Sequence, residues 1–144
     1  MTTIIVRTIC ALAILASVGC SDGGHYYNAG DVVRDYYSRI QTGQFDSAME
    51  LWDPRLVDKQ KKWGLPWPQA LARMQRDFGA LESFELFSQA DTQAGSGDRV
   101  LSLTYQVQYE RARVPERVVV RIPTHSDAPM AITNHDIMNA EARR

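Results

Sequence analysis

Side chains able to do chemistry are sparse in this 144-residue chain. One titratable pair stands out, His135-Asp136, near the end of a run that alternates as a strand does. Neighbours on a strand point to opposite faces. At most one of the two can enter an interior, so they cannot form a simple dyad. Ile132 and Met138 share the face of Asp136, and Ala131 and Ile137 share that of His135. The pattern leaves open which face is inside. A solvent-facing polar pair is one reading, and a single titratable group in a pocket is the other. The remaining histidines, His25 and His125, lie far from His135 in sequence. No two have the short spacing of a metal site, so no metal or cofactor is expected. No nucleophile elbow, phosphate-binding loop or dinucleotide fingerprint occurs, and Gly95-Ser96-Gly97 is too short to be more than a turn.

Four arginines, Arg111, Arg113, Arg117 and Arg121, gather in one stretch. They could meet anionic headgroups, lipopolysaccharide or an acidic partner. The plainer reading is charge guarding exposed strands, with Glu110 and Glu116 interleaved. Trp52, Trp63 and Trp67, with Tyr36 and Tyr37, could line a ligand cavity or simply fill a core. Trp63 and Trp67 stand in an irregular stretch and are expected to be partly exposed. With Tyr105, they are the candidate contacts for a ligand or partner.

The cysteines are Cys10 and Cys20. Arg7 is followed by an apolar run, Thr8 to Val18, ending in small residues. That is signal-peptide architecture, and the run is too short for a comfortable membrane-spanning helix. Ser17-Val18-Gly19-Cys20 resembles the lipobox of bacterial lipoproteins, with Ser17 where leucine is usual. The resemblance implies cleavage after Gly19 and lipidation of Cys20. Ser21-Asp22-Gly23-Gly24 then reads as a flexible tether. The mature fold would keep no thiol, which excludes a disulfide and thiol catalysis. Several acyl chains anchor stably where one does not. By resemblance to lipoprotein sorting rules, Ser21 favours the periplasmic face of an outer membrane.

Bulk composition is that of one ordinary domain. Hydrophobic residues make up 44% and charged residues 23%, with a formal net charge of −1. A nucleic-acid binder would normally be clearly basic. The expected division is signal 1–19, lipidated cysteine and tether 20–30, globular domain 31–139 and tail 140–144.

The elements follow from periodicity. Asp31 is placed to cap a helix with Val32, Val33, Tyr36, Tyr37 and Ile40 on one face, stopped by Gly43. Gln44 to Trp52 reads as a second, shorter helix ended by Asp53-Pro54. Arg55 to Trp67 is irregular. Pro68 suits the first turn of a third helix carrying Ala70, Leu71, Met74 and Phe78, closed by Gly79. Beyond it the period becomes two. Strands are expected over Leu81–Ala90, Leu101–Tyr109, Val118–Ile122 and about Met130–Met138, with a loop at Gln93–Asp98 and a turn near Arg113-Val114-Pro115.

Three helices then four strands indicate an α+β fold. The order resembles the nuclear-transport-factor-2-like (cystatin-like) superfamily. The carrying segments are Tyr36 to Ala48, Phe78-Gly79-Ala80-Leu81 and Leu103-Thr104-Tyr105-Gln106-Val107. The resemblance implies N-terminal helices packed on a curved, cone-like, four-stranded antiparallel sheet. It also admits an enzyme with Asp136 or His135 as general base on a small hydrophobic substrate. The preferred expectation is a non-enzymatic binding or assembly module. It would be held to the membrane by its lipid and face an envelope protein partner or a small apolar ligand.

Overall fold

A computed structural model describes residues 28–62, 66–138 and 141–142. Helix α1 spans Ala29–Gln41, and its buried stripe is Ala29, Val32, Val33, Tyr36, Tyr37 and Ile40. Its cap is Asn28 rather than Asp31. Asn28 has extended backbone, and its side-chain oxygen accepts from the Asp31 amide at 3.0 Å. Asp31 instead lies in the first turn, where a carboxylate suits the helix dipole, and bonds Arg34. Gly43, at φ 74°, turns the chain out of the helix. Its amide bonds the Ile40 carbonyl, and the Gln44 amide bonds that of Arg39, which is a Schellman closure.

The second helix is shorter than expected. Helix α2 covers Phe45–Ala48 and passes into a 3-10 turn at Met49–Leu51. Trp52 is extended and bridges Ile132. The irregular stretch contains a helix, α3, over Pro54–Lys62. Asp53 starts it, because its carboxylate accepts from the Arg55 amide at 3.0 Å. Helix α4 runs Trp67–Phe78 with Pro68 in its first turn. Gly79 ends it at φ 86°, where a Cβ would come 2.5 Å from the Glu110 carboxylate.

The sheet is antiparallel, in the order β1 (Leu81–Gln93), β2 (Arg99–Tyr109), β3 (Ala112–Ile122), β4 (Ala131–Ile137). It is open, with β1 and β4 at its edges, and β5 (Glu141–Ala142) pairs with the start of β3. The α+β class expected from the sequence is therefore present.

The turn between β2 and β3 lies at Glu110–Arg111, a few residues before the expected place. Two amides set it there. Glu110 N–H bonds the Ala80 carbonyl, and Arg111 N–H bonds that of Phe78. Pro115 thus sits inside an interior strand, where a missing N–H usually breaks the ladder. Its carbonyl accepts from the Met138 amide, just past the last β3–β4 pair at Glu116 and Ile137. The side lacking the N–H faces the point where β4 runs out, so the ladder loses only the terminal bond that would return to Met138.

Candidate functional site

Along β3 the buried positions are Ala112, Val114, Glu116, Val118 and Val120. One carboxylate thus occupies an otherwise apolar row. Glu116 is fully buried and does not guard an edge. On β4, His135 pairs with Val118 and Ile137 pairs with Glu116. Glu116 and His135 are therefore diagonal neighbours on one sheet face. His135 Nε2 lies 2.8 Å from Glu116 Oε2. The Tyr37 hydroxyl donates to Oε2 at 2.9 Å, and the Tyr109 hydroxyl donates to Oε1 at 2.8 Å. Trp67 Nε1 donates to the Tyr36 hydroxyl at 2.9 Å, which stands 3.0 Å from His135 Nδ1.

The Tyr36 hydroxyl and His135 Nδ1 share one hydrogen bond, and the Tyr37 and Tyr109 hydroxyls both donate to Glu116. His135 Nε2 faces a carboxylate oxygen and is the donor in its contact with Glu116. The imidazole thus links a phenol to a carboxylate that holds three donors. Burial pushes the phenols of Tyr36, Tyr37 and Tyr109 well up, and the negative charge of Glu116 pushes them further. They remain protonated donors. An unpaired buried carboxylate is costly. Three hydrogen bonds to a charged group, each contributing roughly 1.5–3 kcal/mol, offset that cost.

His135 is therefore interior, not half of a solvent-facing pair. Asp136 takes the other face, with its side chain 38% exposed and 2.5 Å from Arg117. The Arg117 guanidinium holds its carboxyl below the usual carboxylate range, helped by Asn134. Such a group is a poor base at neutral pH.

Three of the four gathered arginines, Arg111, Arg117 and Arg121, are engaged within the chain. Arg111 bonds the carbonyls of Arg76 and Asp77 at the end of α4. Arg121 bonds Asp53 at 2.8 Å and Asp98 at 3.4 Å. Asp53 is buried, and Arg55, first among its partners, holds its carboxyl low. Among the described residues no three His, Cys, Asp or Glu side chains gather as a metal ion would need. No described helix is long and apolar enough to cross a membrane.

Of the candidate contacts, Trp67 is partly exposed at the start of α4, and its indole nitrogen serves the buried network. It also borders a cavity of about 340 Å³ with Pro66, Pro68 and Val57. Trp63 and Cys20 lie outside the described residues. Tyr105 lines a cleft of about 790 Å³ between the start of α1 and strands β1 and β2. Phe84, Leu86, Leu101 and Leu103 supply its apolar wall. The polar network does not line this cleft: neither Glu116 nor His135 borders it.

Sequence reasoning missed Glu116 as a hub. The signal was its place in the alternating row from Ala112 to Val120. The sequence alone did not say that two tyrosines and a histidine would meet it. The geometry thus defines an α+β protein with a closed polar core beside an open cleft of mixed apolar and polar lining. No protein-family model, curated protein or solved structure matches the chain.

Proposed function

We propose that the chain is a membrane-anchored envelope lipoprotein, lipidated at Cys20, with a non-enzymatic binding domain facing the periplasm. Its helices and sheet take the cone-like arrangement of the nuclear-transport-factor-2-like superfamily, and the cleft beside Tyr105 is where a small apolar molecule binds. The observation that carries the binding role is the separation of chemistry from access. The titratable cluster is sealed and internally satisfied, while the accessible concavity sets an apolar group, Phe84, Leu86, Leu101 and Leu103, beside polar side chains such as Gln89 and Arg99. Its volume falls within the range of small-molecule sites, roughly 300–1,000 Å³.

The rival reading is an enzyme with His135 as general base. The 2.8 Å contact with Glu116 would orient such a base. Both side chains have no exposure, so a substrate would need a path into the core.

The test has two arms. Cys20→Ala should move the protein from the membrane fraction to the soluble one. Titration of the full chain with the uncharged probe N-phenyl-1-naphthylamine should give saturable fluorescence. Leu86→Asp, a change at a residue 45% exposed, should abolish it without unfolding the domain. Equal probe binding by that variant would remove the cleft as the binding surface.

A further inference from the structure

The cleft has a polarity that selects among apolar ligands. Tyr105 is only 6% exposed, yet its hydroxyl has no hydrogen-bond partner among the described residues. Its ring is held by Tyr37 and Phe84, with centroids 5.3 and 6.1 Å away. The hydroxyl oxygen is not among the buried side-chain atoms that lack a partner, so it opens onto the cleft, where water meets it until a ligand displaces that water. A fixed, unpartnered phenol in a cavity wall is therefore a place for an atom of the ligand. Burial pushes this phenol up from its ordinary value, so it keeps its proton and donates.

The charges around the cleft decide the rest. Arg34 is bonded to Asp31 at 2.8 Å, and Arg99 is paired with Asp91. Both cations bordering the cleft are thus engaged by carboxylates. Glu85 also borders it and has no ion pair among the described residues. The charge left unneutralised there is negative. We infer that the cleft takes an uncharged apolar molecule carrying one hydrogen-bond acceptor, an ester, amide or ketone oxygen, and discriminates against the corresponding anion. This rests on the cleft-binding reading above.

Two naphthalene probes separate the cases. One is the uncharged ketone 6-propionyl-2-dimethylaminonaphthalene, whose emission reports hydrogen bonding to its carbonyl. The other is the anion 1-anilinonaphthalene-8-sulfonate. With the purified full chain, the ketone should bind at least about tenfold more tightly than the sulfonate, the separation expected of about 1.4 kcal/mol. Tyr105→Phe should weaken the ketone about three- to tenfold and shift its bound emission to the blue, as loss of one hydrogen bond requires. Glu85→Gln, at an exposed position, should raise sulfonate affinity several-fold and so narrow the gap between the two probes.

Equal affinity for the two probes would overturn the charge selection. An unchanged affinity and emission in Tyr105→Phe would mean that water, not ligand, satisfies the phenol, and would overturn the acceptor requirement. Either result leaves the binding role standing. Absence of any saturable binding of both probes would overturn that role as well.

Discussion

Removing one hydroxyl from the buried network tests whether Glu116 is held as a carboxylate. In Tyr109→Phe the ring and its packing against Phe78, with centroids 5.7 Å apart, are kept. Only the 2.8 Å bond to Glu116 Oε1 is lost. That oxygen has no second protein donor among its described contacts. A hydrogen bond to a charged group contributes about 1.5–3 kcal/mol, against about 0.5–1.5 for a neutral one. The expected loss of stability is therefore about 2–3 kcal/mol, and the thermal midpoint should fall by roughly 6–12 °C in a domain of this size. Urea unfolding followed by circular dichroism measures it. The same change in a Glu116→Gln background should cost about 1 kcal/mol or less, because the partner is no longer charged. A Tyr109→Phe cost below about 0.5 kcal/mol, or one equal in both backgrounds, would refute the ionised-carboxylate account.

Alkaline pH should act on the same cluster. The phenols of Tyr36, Tyr37 and Tyr109 are raised from an ordinary value of 10.0. Their stabilisation is complete below pH 10 and is lost as pH rises above it, because the unfolded chain gives up these protons first. Each phenol contributes a slope of about 1.4 kcal/mol per pH unit, so stability should fall by about 4 kcal/mol per unit above pH 10. Of the six tyrosines, these three should ionise only with unfolding, and titration of more than the other three in the folded protein would contradict this. Asp53→Ala should cost about 2–4 kcal/mol in urea titrations, since it uncaps α3 and strands the half-buried Arg121. Asp136→Ala, which breaks a partly exposed pair, should cost under about 1 kcal/mol. Gly79→Ala should cost more than Gly43→Ala in thermal unfolding. Both have positive φ, but a Cβ at Gly79 meets Glu110, whereas at Gly43 it meets open space.

Most of the fold is legible in the sequence because most of it is periodic. The stripe from Val32 to Ile40 and the alternation from Leu101 to Tyr109 identify α1 and β2 directly. Misreadings fall where a contact distant in sequence decides. Helix α3 was hidden because its visible residues are mostly polar, and the feature that starts it is a side-chain bond from Asp53. The β2–β3 turn was misplaced because Pro115 looks like a breaker. The bonds placing the turn come from Ala80 and Phe78. At the candidate site, the His135-Asp136 alternation showed that only one could face inward, but not which. The choice follows from Glu116, which supplies an acceptor for the imidazole inside, and Arg117, which supplies a cation for Asp136 outside.

One side chain ties the sealed network to the wall of the open cleft. The Tyr37 hydroxyl bonds Glu116, while its ring stacks on Phe84 at 4.9 Å and meets Tyr105 at 5.3 Å. The polar core thereby immobilises two walls of the cleft, and a ligand need not order them on binding. The two roles of Tyr37 are separable. Tyr37→Phe keeps the ring and loses the anchor, so it should lower stability by about 1.5–3 kcal/mol while leaving naphthalene-ketone affinity within about threefold. Tyr37→Leu loses the ring as well, so Phe84 and Tyr105 lose their support, and affinity should fall by about tenfold or more at temperatures where the variant is still folded. If both variants bound the ketone as the parent does, the cleft would owe its shape to something other than the core behind it.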